Sequence, residues 1–269
     1  MEELAVKKDF TDIYTQDSPF EYLKEMDRLE YSIPDSTKPL YNSIIEELEG
    51  TLSRPINVLD LGSSYGINSS LMKYNLTMSE LNDFFLNGSE PTKKETKQFY
   101  EKCDSNDNMN FYQIDISKEA LKFSEEMNLC ERGMNVDLEA KKLNLLESLP
   151  KMDLVIATGC IGYKAFSNLL KVIKNRQSNS IESETEYIAP IFAFSVLRIF
   201  DMEDIEEVFE MCGYSIVKSD IKPIRQRNFS DPKEKAQTVS LLHEMEINTK
   251  WYEDDGNFYA DFYIAKSKN

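Results

Sequence analysis

One short segment of the chain combines residue types that can bind a small ligand. It reads INVLDLGSSYGINSSLM over residues 56–72, an apolar run that reaches Asp60 and leads into a turn bounded by Gly62 and Gly66. A buried strand, a glycine turn and a helix follow one another in this way where α/β proteins bind nucleotides. The segment therefore predicts a ligand site at the end of a strand.

The turn differs from the common phosphate-binding sequences. A dinucleotide site has the pattern G-x-G-x-x-G, whose middle glycine lets the backbone approach a pyrophosphate, but Ser64 stands at that position here. No lysine follows Gly66 as it would in a Walker phosphate loop. S-adenosyl-L-methionine (SAM) has no phosphate and carries an ammonium and a carboxylate. Asp60 is expected to accept the ammonium, and backbone N–H groups of the turn and helix start are expected to receive the carboxylate.

Two motifs in this order resemble those of the class I SAM-dependent methyltransferases, over roughly residues 55–266. VLDLGSSYG resembles motif I, V-L-D-x-G-x-G-x-G, with Ser64 in place of the middle glycine. YQIDISKEALKFS is similar to motif II, in which an acid ends the second strand. The resemblance implies that Asp115 binds the ribose hydroxyls, since a carboxylate can accept from both, and that Ile116 contacts the adenine.

Two weaker similarities complete the implied cofactor site. VDLE resembles the acidic–apolar pair after the third strand, and LPKMDLVIATG resembles the fourth strand with its ligand-facing end. The cofactor-binding residues implied are Asp60, Gly62, Ser63, Ser64, Gly66, Asn68, Asp115, Ile116, Asp137, Leu138, Thr158 and Gly159. One spacing departs from the pattern, because Asp115 lies 55 positions after Asp60 where about 20 is usual. We attribute the surplus to an insertion at 86–108.

The elements that would position these residues alternate along the chain. Apolar, strand-like runs are followed by amphipathic, helix-like runs, which is typical of a parallel sheet covered on both faces. The prediction is an α/β, Rossmann-like methyltransferase fold with a mostly parallel seven-stranded sheet, an antiparallel C-terminal edge strand and helices on both faces. Residues 1–50 are expected to form a helical lid or extension, and residues 51–269 the SAM-binding domain.

The methyl acceptor is constrained mainly by exclusion. The (N/D)PP(Y/F) motif of many enzymes that methylate base amines or glutamine is replaced by ATGCIGYKAF after the fourth strand. Arginines near the predicted site are candidates for binding an acceptor carboxylate, or else form ion pairs with the many surface acids. The candidates for the acceptor site are Arg198 and Tyr163 for positioning, and Tyr22, Tyr31, Arg225 and Arg227 for binding, with both N-terminal tyrosines placed by analogy to the family.

Composition narrows the partners and the location. The net charge of −17 disfavours nucleic acid. No CxxC pair occurs, and a zinc site is not expected beside the one histidine, His243. The longest apolar run is short for a membrane span, so a cytoplasmic protein is expected.

Three functions remain open from the sequence. The first is transfer of a methyl group from SAM to an O or N atom of a small polar acceptor, which can carry a carboxylate. The second is a methyltransferase acting on a protein or peptide in a biosynthetic pathway. The third is a non-catalytic partner subunit that keeps the fold. The oligomeric state is left open.

Overall fold

A computed structural model of the chain describes residues 11–140, 148–159, 162–182 and 189–268. Within these residues, eight strands form one sheet in the order β3-β2-β1-β4-β5-β8-β6, with β7 paired to β8. The strands are β1 (Ile56–Leu61), β2 (Met109–Asp115), β3 (Arg132–Asn135), β4 (Leu154–Thr158), β5 (Ile191–Leu197), β6 (Tyr214–Lys218), β7 (Ile224–Asn228) and β8 (Asn257–Ser267). The predicted α/β fold with a mostly parallel sheet is confirmed.

The C-terminal strand is antiparallel, as predicted, and it lies between β5 and β6. The other strands from β1 to β5 pair in parallel. The strand order reverses between β1 and β4, and in open α/β sheets ligands bind outside the carboxyl ends of the strands at such a point. This edge of the sheet is therefore where the predicted site residues should meet.

Helices cover both faces of the sheet, which explains the almost continuous apolar runs in the strands. Val58 belongs to the hydrophobic core on one face and Leu59 to the core on the other. The α-helices of the described residues are α1 (Phe20–Arg28), α2 (Ile33–Glu49), α3 (Ile67–Lys73), α4 (Met78–Leu86), α5 (Lys93–Glu101), α6 (Lys118–Glu126), α7 (Tyr163–Glu182), α8 (Glu203–Met211) and α9 (Pro232–Glu244). None of them is long and apolar enough to cross a bilayer.

The long connection between β1 and β2 is helical. Both α4 and α5 begin with a capping box, in which a threonine and a glutamate three residues later satisfy each other's backbone N–H groups. The aromatic rings of Phe84 and Phe99 then stack at 4.1 Å between centroids and join the two helices. This arrangement accommodates the 55-residue spacing between Asp60 and Asp115 without disturbing the pairing of β1 with β2.

Helix α2 packs directly onto the sheet, whereas α1 packs against α4. Tyr41 and Ile45 of α2 are buried in the same core as Val58, and the Tyr41 ring contacts that of Phe262 at 5.7 Å. The backbone N–H of Ser32 donates to the carbonyl of Gln226 in β7 at 2.9 Å. Helix α2 thus shares the core of the sheet, and the proposed division at residue 50 stays a prediction.

Candidate functional site

The glycine turn after β1 is joined to the end of β2. The backbone N–H groups of Gly62 and Ser63 donate to the carbonyl of Ile114 at 2.8 and 3.2 Å, and that of Ser64 donates to Asp115 Oδ2 at 2.8 Å. These three N–H groups therefore have partners inside the protein. Our expectation that the backbone of this turn receives a ligand carboxylate does not hold for them.

The acid at the end of β2 is held in place from several sides. Asp115 Oδ1 accepts from the backbone N–H of Ser117 at 2.8 Å, and the Asn135 side chain donates to the carbonyls of Asp115 and Ile116 at 3.2 and 2.8 Å. Burial raises the pKa of Asp115, opposed by its hydrogen bonds from backbone N–H groups of Ser117, Ser64 and Ile116. Beside it, the Ile116 side chain is 75% exposed. An exposed apolar side chain next to a fixed carboxylate suits a ligand with a flat apolar part and hydroxyl groups.

A buried polar network crosses the switch point from β1 to β4. Asn68 Nδ2 donates to Asp60 Oδ1 at 3.0 Å and to Thr158 Oγ1 at 3.2 Å. The Tyr41 hydroxyl lies 2.9 Å from Thr158 Oγ1 and donates to the carbonyl of Ala157 at 3.2 Å. The structure thus brings together three predicted site residues and adds Tyr41 from α2.

Asp60 is fully buried, and within the described part of the chain its Oδ2 atom has no hydrogen-bond partner. Burial raises its pKa to about 7; the hydrogen bond from Asn68 lowers the pKa, and the charge of Asp115 raises it further. A cationic ligand would supply the missing partner and favour the ionised form.

The raised pKa of Asp60 predicts a pH dependence of stability. Between pH 4 and pH 7 the folded state keeps the proton that the unfolded state releases, so the free energy of unfolding falls as pH rises through this window. Asp60→Asn removes this titration. Between pH 4.5 and pH 7.5, we expect urea unfolding to show the free energy of unfolding of the variant rising relative to that of the wild type by on the order of 3 kcal/mol. If the free energies of unfolding of the two proteins changed with pH in the same way, the raised pKa of Asp60 would be contradicted.

Several buried polar atoms without partners lie at this carboxyl edge. They belong to residues at the ends of β1 and β5 and to β7: Asp60 Oδ2, Ser63 Oγ, Ser64 Oγ, Ser195 Oγ and Gln226 Oε1. Buried polar atoms in native proteins almost always have partners, so a concentration of exceptions at one edge indicates a polar ligand there. An acidic oxygen, hydroxyls and an amide oxygen fit the ammonium and carboxylate of SAM.

Glycine at position 159 makes room for a side chain from β7. Its φ is +70°, and a Cβ atom there would lie 2.5 Å from Gln226 Nε2. Gly159 follows Thr158 directly, so the Gln226 carboxamide lies at the end of β4. Sequence reasoning missed Gln226, because only the pairing of β7 with β8 brings it to this place.

The weaker pair after β3 is placed differently. Asp137 is exposed, and its Oδ1 accepts from the backbone N–H of Glu139 at 2.8 Å, which closes a local turn. Leu138 is buried in the hydrophobic core, and its carbonyl accepts from Asn168 Nδ2 at 2.9 Å. No contact joins either side chain to Asp115 or Ile116 among those the structure describes. Their role at the adenine stays a prediction.

Arg198 forms an ion pair with a carboxylate of the protein. Its side chain is 8% exposed, and its guanidinium donates to Glu253 Oε2 at 2.8 Å and to the carbonyl of Asn248 at 2.7 Å. The guanidinium also lies over the Tyr252 ring, 4.6 Å from its centroid. Because a buried carboxylate already neutralises Arg198, its expected role in positioning the acceptor stays a prediction that these contacts do not favour.

The other two arginines also have protein partners, on either side of Gln226. Arg225 donates to Glu30 Oε2 at 2.6 Å and to Asn257 Oδ1 at 2.8 Å. Arg227 forms a two-pronged ion pair with Glu234, at 2.7 and 3.0 Å. Neither guanidinium is available to an acceptor carboxylate in this structure. Both anchor β7 through these contacts, and their expected role in acceptor binding stays a prediction.

Of the tyrosines expected near the acceptor, Tyr22 is a core residue. Its ring contacts those of Tyr14 and Tyr65 at 5.4 and 5.8 Å, and its side chain is buried, so it cannot line a pocket. Tyr31 is half-buried at the junction of two core clusters. The side chain of Tyr163 lies outside the described part of the chain.

The N-terminal segment lies against the glycine turn. The Tyr65 hydroxyl donates to the carbonyls of Ile13 and Gln16 at 3.0 and 2.9 Å, and the hydroxyl of Ser117 donates to the carbonyl of Tyr14. The predicted lid thus touches both motif I and motif II. Among the described residues, no group of acids, cysteines or histidine is arranged to hold a metal.

Comparison with known proteins finds similar folds. No protein-family model and no curated protein matches the chain. Similar solved structures include the ribosomal protein L11 methylase of Lactobacillus delbrueckii, with 13% identity, a TM-score of 0.39 and coverage of 84% of this chain and 77% of that one. They also include a TehB-like SAM-dependent methyltransferase of Corynebacterium glutamicum, with 11% identity, a TM-score of 0.40 and coverage of 87% and 98%.

A third similar structure is the magnesium protoporphyrin IX methyltransferase of Synechocystis, solved with bound SAM. It shares 13% identity and a TM-score of 0.39, over 94% of this chain and 88% of that one. A likeness at this level concerns the fold and carries no argument about activity. The chain is thus similar in fold to proteins named as methyltransferases, the family whose motifs its sequence resembles.

Proposed function

We propose that this chain is a SAM-dependent methyltransferase that binds its cofactor across the carboxyl ends of β2, β1 and β4. The observation that carries the proposal is the joining of the two motifs. The Ser64 backbone donates to Asp115 Oδ2 at 2.8 Å, and Ile116 is exposed beside them. This is the arrangement that ribose and adenine recognition requires at the switch point of the sheet.

The residues of the edge have distinct tasks in this proposal. SAM, when bound, supplies an electrophilic methyl group. The protein aligns the acceptor with that group and excludes water, and such positioning can account for much of the rate. Asp115 holds the ribose, while the network of Asp60, Asn68 and Thr158 holds the end of β1 against that of β4. Ser63 and Ser64 offer hydroxyl groups to the amino-acid part of the cofactor.

The proposed acceptor is a small, polar molecule that receives the methyl group on O or N. A carboxylate-bearing acceptor is less favoured, because Arg198, Arg225 and Arg227 already bind groups of the protein. The strongly acidic charge disfavours nucleic acid, and a cytoplasmic location goes with the proposal. Incubating a cell extract with the protein and methyl-labelled SAM tests the acceptor class. Label in protein fractions would instead support a peptide or protein acceptor.

The proposal predicts that Asp115→Asn weakens SAM binding by about 1–3 kcal/mol, roughly 5- to 150-fold in affinity, through lost hydrogen bonds to the ribose. Asparagine keeps one acceptor oxygen for one of the backbone N–H groups of Ser64 and Ser117, but its NH₂ group faces the other. Urea unfolding of the variant therefore accompanies the titration, so that a loss of stability is told apart from a loss of the ligand contact. Isothermal titration calorimetry measures the affinity.

The matched control for this measurement is Asp104→Asn. Asp104 is exposed in the loop before β2, and the substitution changes the net charge by the same amount. It should leave SAM affinity unchanged. Equal affinities of all three proteins would remove Asp115 from the site, and no saturable SAM binding by the wild type would remove the proposed function. Binding without formation of S-adenosylhomocysteine in any extract would favour a non-catalytic partner subunit.

A further inference from the structure

We propose that Gln226 binds the amino group of SAM through its side-chain oxygen, which deepens the proposed function and rests on it. Gln226 is 5% exposed, and its Oε1 atom has no hydrogen-bond partner among the residues that the structure describes. Desolvating an amide oxygen without a partner is unfavourable, so its burial indicates a donor supplied from outside the chain. No motif of the sequence points to this residue.

A β-bulge directs Gln226 toward the site. Arg225 pairs with Tyr259 of β8, and Arg227 pairs with the adjacent Phe258, so that Gln226 is the extra residue between them. A bulge bends its strand locally and re-aims the side chain, and bulges are frequent next to active sites.

The bulge is held rigidly on both sides. Arg225 is fixed by Glu30 and Asn257, while the guanidinium of Arg227 is fixed by Glu234. The carbonyl of Gln226 itself accepts from the backbone N–H of Ser32 at 2.9 Å. A side chain on such an anchored backbone loses little further freedom when it binds a ligand.

The carboxamide lies against the end of β4. Gln226 Nε2 lies 2.5 Å from the position that a Cβ atom on residue 159 would occupy, so only glycine allows this approach. The backbone N–H of Gly159 donates to the carbonyl of Ser195 at 3.3 Å, which fixes the turn to β5. The amide is thereby adjacent to Thr158 and to the polar network that leads to Asp60.

The distance between strands indicates which hydrogen-bond donor of SAM lies at the end of β4. In the sheet, β4 lies two positions from β2, which corresponds to about 10 Å. The proposed site places the ribose hydroxyls at Asp115 on β2 and the adenine beside Ile116. The donor that remains for the β4 end is the amino group. It has three hydrogens to donate, and two unpartnered buried acceptors, Asp60 Oδ2 and Gln226 Oε1, flank this part of the edge.

Three nucleoside probes test the contact by calorimetry. SAM and S-adenosylhomocysteine carry the amino group, and 5′-methylthioadenosine lacks the whole amino-acid part. Gln226→Met keeps the length of the side chain and removes its amide. We expect it to lower the affinity for SAM and S-adenosylhomocysteine about tenfold and to leave the affinity for 5′-methylthioadenosine unchanged. Gln98→Met, the same change at an exposed position of α5, should affect none of the three.

The remaining outcomes separate this inference from the proposed function. Unchanged affinity for all three probes would overturn the inference. An equal loss of affinity for all three probes would overturn it as well. Since 5′-methylthioadenosine has no amino group, such a loss would mean that the substitution changed the shape of the whole site. If the wild type bound neither SAM nor S-adenosylhomocysteine, the proposed function itself would fail.

Discussion

Replacing Gly66 by alanine should destabilise the chain by about 2–5 kcal/mol. Gly66 has a φ of +75°, where a residue with a Cβ atom is strained by about 1–2 kcal/mol. The added Cβ atom would also lie 2.5 Å from Ser124 Oγ and 3.0 Å from both Gln113 Nε2 and Leu129 Cδ1, and overpacking of this kind costs a further 1–3 kcal/mol or so. Urea unfolding followed by circular dichroism measures the change.

Gly213→Ala separates the two causes. Gly213 has a similar φ of +82°, and a Cβ atom there would meet nothing within 4 Å. This control should lose only about 1–2 kcal/mol, the cost of the backbone conformation. Equal losses in the two variants would show that close packing at the glycine turn contributes nothing. A large excess loss at Gly66 would explain why the second glycine of the motif is required even before any ligand binds.

Glu234→Gln should destabilise the chain by about 3–5 kcal/mol, because it leaves a buried guanidinium without a countercharge. The side chains of Arg227 and Glu234 are 4% and 3% exposed, and Glu234 also accepts from the backbone N–H of Ser230 at 2.6 Å. A glutamine at position 234 would carry no negative charge. Its NH₂ group would also replace one of the two oxygens that accept from Arg227. Urea unfolding at neutral pH provides the measurement.

The control for the buried pair is Glu47→Gln, which breaks the ion pair with Lys266. That pair is roughly half exposed on both sides, and solvent-exposed pairs contribute about 0–1 kcal/mol. Similar losses for the two variants would mean that burial does not govern the Arg227–Glu234 pair. Because Arg227 adjoins Gln226 in β7, the Glu234 variant should also weaken SAM binding under the further inference.

The elements with strong local signals were predictable. The apolar runs that form β1, β2 and β4 can be recognised in the sequence. The glycine turn can be recognised as well, because its conformation depends on residues close together in sequence. The order of the motifs predicts that Asp60 and Asp115 end neighbouring strands, and the pairing of Leu61 with Ile114 agrees with this. The two helices between α3 and β2 also carry a local signal, since each begins with a threonine and a glutamate at capping-box spacing.

Strand β7 illustrates what sequence reasoning could not supply. Its sequence, IRQRN, lacks apolar alternation and gives no strand signal. It becomes a strand because it pairs with β8. Its Arg227 is buried against Glu234, and its half-buried Arg225 pairs with Glu30. The sheet consequently has an eighth strand that a count of apolar runs misses.

The sequence by itself determined the fold class, the place of the glycine turn and the acid that ends β2, because each depends on apolar periodicity or on short-range spacing. Only the tertiary structure decided that Arg198, Arg225 and Arg227 serve the protein's own acids. It alone brought Tyr41 and Gln226 to the carboxyl edge. The physical reason is that charge pairing and burial depend on which residues become neighbours in space, and the partners lie from 7 to 195 positions apart in the chain.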